Sequence, residues 1–536
     1  MQHSRLAKTI AAAMVIGAGF APSAQALHLN PNGIGQVLVY PYYTVNAGNQ
    51  TVLSVVNKTD AGKAIKLRFR EGRNSRKVLE FNLYLSPFDV WTGTLFSLTD
   101  IGPANPANLV TTDNSCTVPR IKGNTFLPVL ANGNRYVPFT NDSYSGASDE
   151  AGPNNLERTR EGHFELIEMG EVTDVTRNSL TAITHGYNGV PSNCLLAERA
   201  WLPVSSVGPT VAYWSNAPLT DLLPPKGGLF GSAAIIDALA GTMLSYNAEA
   251  IDAFSDITQH TGPSASAPTL ASAHSAGAGG EIIANVFQEG SLVSSRYPAA
   301  RGIDAVSALF VKEELFNEFT TSAALGATSE WIVSFPTKYA YVDQAIVGAN
   351  AIAPFTRIFP TVTSGSNNGT AAVDLALSFF NREEKSGAAT CTQPTDPACI
   401  PFFPPPPGES PYLYWSTNVI GFNQPNVDAI GSTLLGSHLA THIDASVAQI
   451  EDGWALFQFY SASAPSGSLI DQHSMRADSD GGIWRGLPAI GFWATMYTNN
   501  QVMPGVLSRN ADLSKVRGSN RYQITAAPTG SQPRDN

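Results

Sequence analysis

The chain has 536 residues, 43% hydrophobic and 14% charged, with 46 Gly, 36 Pro and a net charge of −11. That length and apolar content can bury a large core in one or two domains, which excludes disorder, and Gly without a three-residue period excludes collagen. With 32 Lys and Arg against 43 Asp and Glu, the chain lacks the basic excess that displaces counterions, so no nucleic-acid partner is expected.

Residues 1–26 read as a signal peptide. Arg5 and Lys8 precede the apolar run Ile10–Phe20, and Ala24-Gln25-Ala26 offers a small-x-small site for cleavage after Ala26. The run is too short to cross a hydrocarbon core of ~30 Å, and no later run reaches the ~18 apolar residues of a membrane helix, so no transmembrane segment is expected after cleavage. Removing Arg5 and Lys8 with no acidic residue takes the charge from −11 to −13. The Ala-rich signal resembles bacterial ones in composition, and the expected location is extracellular, cell-surface or periplasmic.

In an oxidising compartment the four cysteines are expected to form disulfides. Pro394 and Pro397 bend the chain between Cys391 and Cys399, which favours Cys391–Cys399 and leaves Cys116–Cys194. In the chain-entropy description the two bridges stabilise by ~2.6 and ~4.5 kcal/mol.

Along the remaining chain, period two dominates. Ile65, Leu67 and Phe69 alternate with Lys66, Arg68 and Arg70, which predicts a strand with one wet face. Val78–Leu85 and Val373–Phe379 repeat the pattern. Gln36–Val45, Thr51–Val56, Trp331–Phe335, Leu413–Phe422, Trp454–Tyr460 and Ile490–Tyr497 are further strands, rich in β-branched and aromatic residues. Asn46–Asn49 and Thr59–Gly62 suit hairpin turns. Gly231–Phe254 fits a hairpin around Ala240-Gly241 or a buried helix, and Ile303–Phe319 places Val306, Leu309, Phe310 and Phe316 near one helical side.

The expected fold is mainly β: an antiparallel β-sandwich of Ig-like or jelly-roll type, with one or two domains and few short helices. Residues 27–258 form an N-terminal β domain and 286–525 a C-terminal one. Between them, 259–285, rich in Gly, Ala and Ser, is a linker or a long loop. Residues 526–536 are a flexible tail. An outer-membrane barrel fits less well, because 101–162 and 259–285 lack regular alternation.

Chemistry is thinly signalled. His438, His442 and Asp444 share one side of a strand, and two imidazoles with a carboxylate suit Zn²⁺. Leu439 stands where the zinc-protease His-Glu-x-x-His signature carries its Glu, and surface histidines on a wet face account for the same residues. Asp478 and Asp480 before Gly481-Gly482 resemble part of a Ca²⁺ loop, or a plain Asp/Gly turn. No other cofactor is expected. There is no Gly-x-Ser-x-Gly elbow, P-loop or Gly-x-Gly-x-x-Gly. Carboxylate pairs such as Glu165 with Glu168 would serve a glycoside hydrolase only if they flanked a cleft. Tyr40, Tyr42, Tyr43, Tyr84, Phe88 and Trp91 read either as a sugar-stacking platform or as sandwich core. Leu85–Trp91 and Ser334–Lys338 are distinctive stretches with no activity attached to them.

The functional expectation is an exported, non-catalytic structural or adhesive protein of the bacterial cell surface or extracellular space, with surface polysaccharide or other surface proteins as partners. The alternative is a secreted carbohydrate-active or metal-dependent hydrolase.

Overall fold

The computed structural model describes residues 26–99, 102–203, 211–275, 280–288, 290–360, 369–383, 386–387, 412–424, 431–445, 450–462, 469–499, 506–515, 517–518 and 523–525. The segment 1–25, Cys391, Cys399 and the tail 526–536 lie outside them. The protein is mainly β, with 41% strand and 13% helix, built from several antiparallel sheets that pack in sandwich fashion without closing into a barrel. No helix among the described residues is long and apolar enough to cross a membrane.

A ten-stranded and a seven-stranded sheet face each other. Between them lies a core drawn from inward positions of both, including Ile65, Leu67, Phe69 and Phe164 from the larger sheet and Val55, Trp91, Leu95 and Ile235 from the smaller. Asn46–Asn49 and Thr59–Gly62 are not hairpin turns, since each carries the chain from one sheet to the other: Asn49–Asn57 belongs to the smaller sheet, Val37–Thr44 and Gly62–Glu71 to the larger. The turn residues permit a reversal at these positions, but the partners of the strands they join lie elsewhere in the chain, so the short connections cross between the sheets instead. Ser232–Asp237 and Thr242–Asn247 settle the ambiguous Gly231–Phe254 region as a hairpin.

Two five-stranded sheets form a second sandwich. Its core includes the wholly buried Trp331 and the stacked rings of Phe319 and Phe422, 4.6 Å apart. The helix expected over Ile303–Phe319 ends early. Gly302–Phe310 is helical, but Glu314–Thr320 is a strand paired with Asp452–Gln458, burying Leu315, Asn317 and Phe319 at period two. Two pairings are parallel, Leu27–Leu29 with Ile282–Gln288 and Thr417–Phe422 with Ala440–Ile443, so the sheets are not purely antiparallel.

The Gly/Ala/Ser-rich segment does not separate two sheets. The hairpin of Ile282–Gln288 with Ser291–Tyr297 extends the ten-stranded sheet, and residues 259–275 run over that sheet's second face. The same face is covered further along by the short helices Ser179–Ile183, Cys194–Ala200 and Tyr213–Asn216, which pack on Tyr84, Met169 and Val172. Cys116 at the sheet edge is joined to Cys194 at the start of the second of these helices.

Candidate functional site

The stripe of charges on Gly62–Glu71 is not wet. The strand is buried along its whole length, as is its neighbour Glu161–Val172. Register explains how. Arg68 stands directly between Glu165 on one neighbouring strand and Glu80 on the other, and bonds both at 3.0 Å. Arg70 reaches the same Glu165 oxygen at 3.0 Å and lies under the ring of Tyr339. Two guanidinium groups hold the Glu165 carboxyl below the usual carboxylate range in spite of its burial. Lys63 bridges Glu168 and Glu171 at 2.9 Å, and burial raises Glu168 to about 7. The remaining donors are met by main-chain carbonyls of the low-complexity loop. Lys66 Nζ donates to Gly262, and Arg68 donates to Ser266 and Pro268. Small side chains let that backbone approach the cations closely.

A second network ties the two sandwiches together. Arg158 bonds Glu71 and Glu150, and Arg76 joins Glu150 to Asp343 at 2.7 Å. Two buried carboxylates anchor the loop 431–439. Glu330 accepts from Gln424 Nε2, Ser432 Oγ and the Leu434 and Leu435 amides, while Glu161 accepts from Tyr42, Ser437 and the His438 amide. The titratable groups at these positions are frame members.

His438 is exposed on that loop, His442 is half-buried on the strand Ala440–Ile443, and Asp444 is exposed beyond it. Among the described residues no group of three or more His, Cys, Asp or Glu side chains is placed to hold a metal ion. Asp478 is buried, and its Oδ1 accepts from the amides of Asp480 and Gly482 at 3.0 and 2.7 Å, so the carboxylate holds its own turn together. Asp480 is exposed, 3.8 Å from Arg296. Of the aromatic platform, Tyr40, Tyr42, Tyr43, Tyr84 and Trp91 are core, and Phe88 alone is exposed, at a φ of +56°.

Two arrangements were not legible in the sequence. Ser86, His185 and Asp89 come together, but Ser86 Oγ at 2.9 Å and Asp89 Oδ2 at 3.5 Å both address Nδ1 of His185. A proton relay needs the two on opposite ring nitrogens, so this is not a catalytic triad. A cleft of about 230 Å³ is lined by residues including Arg73, Glu157, Arg158, Glu161 and His438. Arg73 stacks on Trp415 at 4.3 Å there, but both Glu161 oxygens already accept bonds and Arg158 is bound to Glu71 and Glu150.

A chemically uniform surface is the outer face of the seven-stranded sheet. Gln50, Val52, Ser54 and Val56 point outward from Asn49–Asn57, and Val90, Thr92, Thr94 and Phe96 from Val90–Phe96. The hairpin adds Ser232, Ala234 and Ile236, then Met243, Ser245 and Asn247. One continuous row, Ser245-Ala234-Val52-Thr94-Val110-Tyr136, crosses six strands in register. None of these outward side chains is a carboxylate, an imidazole, an ammonium or a guanidinium. The signal was present in the sequence as alternation of Val and Leu with Ser and Thr, without a charge on the solvent side. The depletion of charge is a feature this face shares with the centres of protein–protein interfaces. Compared with known proteins, the chain matches no protein-family model, no curated protein and no solved structure.

Proposed function

We propose that this chain is an exported, non-catalytic structural or adhesive protein of the bacterial cell surface or extracellular space, engaging other surface molecules through the outer face of its seven-stranded sheet. The observation that carries the reading is the division of labour among side chains. Buried acids and bases are committed to the frame, and the wide accessible face is uncharged. The Cys116–Cys194 bridge supports an oxidising compartment, in keeping with the signal read in residues 1–26.

The test is location followed by activity. Cell fractionation with antibody labelling of intact cells should find the cleaved protein outside the inner membrane. A protein retained in the cytoplasm with Met1–Ala26 attached would overturn the proposal. The hydrolase alternative rests on Glu157 and Glu161 in the cleft. Hydrolysis of a polysaccharide by the purified protein, abolished by Glu157→Gln, would put that alternative in its place.

A further inference from the structure

We infer that the uncharged sheet face binds a second copy of this chain, forming a face-to-face dimer about a two-fold axis near Val52, Ser54, Thr92 and Thr94. The inference rests on the surface-protein reading and names its partner. Charge is the first argument. The chain carries −11 overall, so two copies repel each other across most approaches, whereas the outward positions of Asn49–Asn57, Val90–Phe96 and the Ser232–Asn247 hairpin bring no charge to the contact. A basic partner would be recognised by acidic side chains, and this face offers none. A partner of the same sign needs such a face.

Size is the second argument. The six strands of this row, from nine residues in Asn49–Asn57 down to three in Asn108–Val110 and Tyr136–Pro138, give a patch of roughly 600 Å² at ~3.4 Å per residue and ~4.8 Å spacing. That is at the lower end of the range for specific interfaces, ~1,200 Å² over both partners, and fits a concentration-dependent dimer. Self-complementarity is the third. In a two-fold contact each position faces its symmetry mate or a neighbour, and small Val, Ala, Ser and Thr side chains on a pleated surface can meet their own kind without a clash or a buried charge. A sugar ligand needs ring faces for stacking; the outward rings Phe96 and Tyr136 meet edge to face at 5.7 Å, while Phe230, paired beside Val56, is exposed, so carbohydrate is the rival occupant that the test separates.

Sedimentation equilibrium of the purified protein tests this. The expected mass is twice the 56.8 kDa of the chain calculated with its signal, less any cleaved segment. Association should tighten as salt is raised, because screening relieves the repulsion between acidic copies. Thr92 is exposed near the centre of the face, so Thr92→Lys and Thr92→Glu should each be monomeric with unchanged thermal unfolding. An equimolar mixture of the two should regain the dimer mass, which a merely misfolded variant cannot do. A wild-type monomer at every concentration, or a Lys variant that still dimerises, overturns the inference. A monomer that binds insoluble polysaccharide and loses this with Thr92→Lys assigns the face to carbohydrate instead. A monomer still exposed on intact cells defeats the dimer and leaves the surface reading standing, and a dimer confined to the cytoplasm does the reverse.

Discussion

Burial sets the pH response of single residues in this protein. His163 is wholly buried; desolvation first and the neighbouring Arg70 second push its pKa down to about 4. Desolvation takes His260, which bonds Tyr84 and the Pro218 carbonyl, to about 3. An unfolded imidazole takes up its proton near ~6.5, so below that value the unfolded chain binds protons that the native state refuses. The stability due to these neutral histidines is complete above pH ~6.5 and is lost as pH falls toward 4 and 3. Glu168 acts in the opposite direction. Its pKa is raised to about 7, so its contribution is present at acid pH and is lost as pH rises from ~4.5 through 7. Two imidazoles outweigh one carboxyl, and stability should decline from pH ~6.5 downward, by on the order of 3 kcal/mol per histidine once the folded value is reached. Urea midpoints measured across this range should fall less steeply in His163→Asn, with His260 still contributing. An unchanged slope would mean that the imidazole is already protonated in the native state.

At the scale of elements, the charged strand Gly62–Glu71 and the loop over it form one device. Among the described residues, Glu165 is the only side chain bonded to both Arg68 and Arg70, so Glu165→Ala leaves two buried guanidiniums without their shared carboxylate and should cost about 3–5 kcal/mol. Among the described residues Lys66 bonds the Gly262 and Pro263 carbonyls and no carboxylate, and burial lowers it to about 7. Replacement by Met, of similar volume, should change stability by less than about 1 kcal/mol. Urea unfolding of the two variants checks the contrast, and equal losses would refute it. The same device shows what the sequence could disclose. Ile65, Leu67 and Phe69 were readable as an inward row because period two survives any environment. That Lys66, Arg68 and Arg70 are also buried was not readable, since the cover of Lys66 and Arg68 comes from residues almost two hundred positions away and that of Arg70 from Tyr339, farther still. Glu161–Val172 escaped for a related reason: a strand buried on both faces, with acids matched to bases on its neighbour, shows no alternation between core and water. The uncharged sheet face was visible strand by strand, but its extent emerges only when register aligns five separate segments.

For the whole molecule, the question is whether covalent or metal cross-links hold it. Cys116 and Cys194 are separated by 78 positions. Closing that loop in the unfolded chain contributes ~4.5 kcal/mol, a large share of the 5–15 kcal/mol that typically separates native from unfolded states. The bridge also pins the edge strand Cys116–Val118 to the helix Cys194–Ala200, so its loss frees a layer that covers Tyr84 and Trp214. A metal would act differently, stabilising the native state by ~2.7 kcal/mol when held at 100 times its dissociation constant. His438, His442 and Asp444 belong to no ligand cluster of three, and Asp478 spends its carboxylate on its own turn. Reduction should therefore lower the urea midpoint substantially, and EDTA should leave it unchanged. The single variant His438→Gln should stay within about 0.5 kcal/mol of the parent, as exposed substitutions do, and the double variant with His442→Gln should lose no bound metal. Mass spectrometry without reduction should join the Cys116 and Cys194 peptides, and Cys391 to Cys399. Stoichiometric metal in the purified protein, lost in the double variant together with stability, would reverse the order of the two cross-links and move the metal-dependent hydrolase ahead of the structural reading.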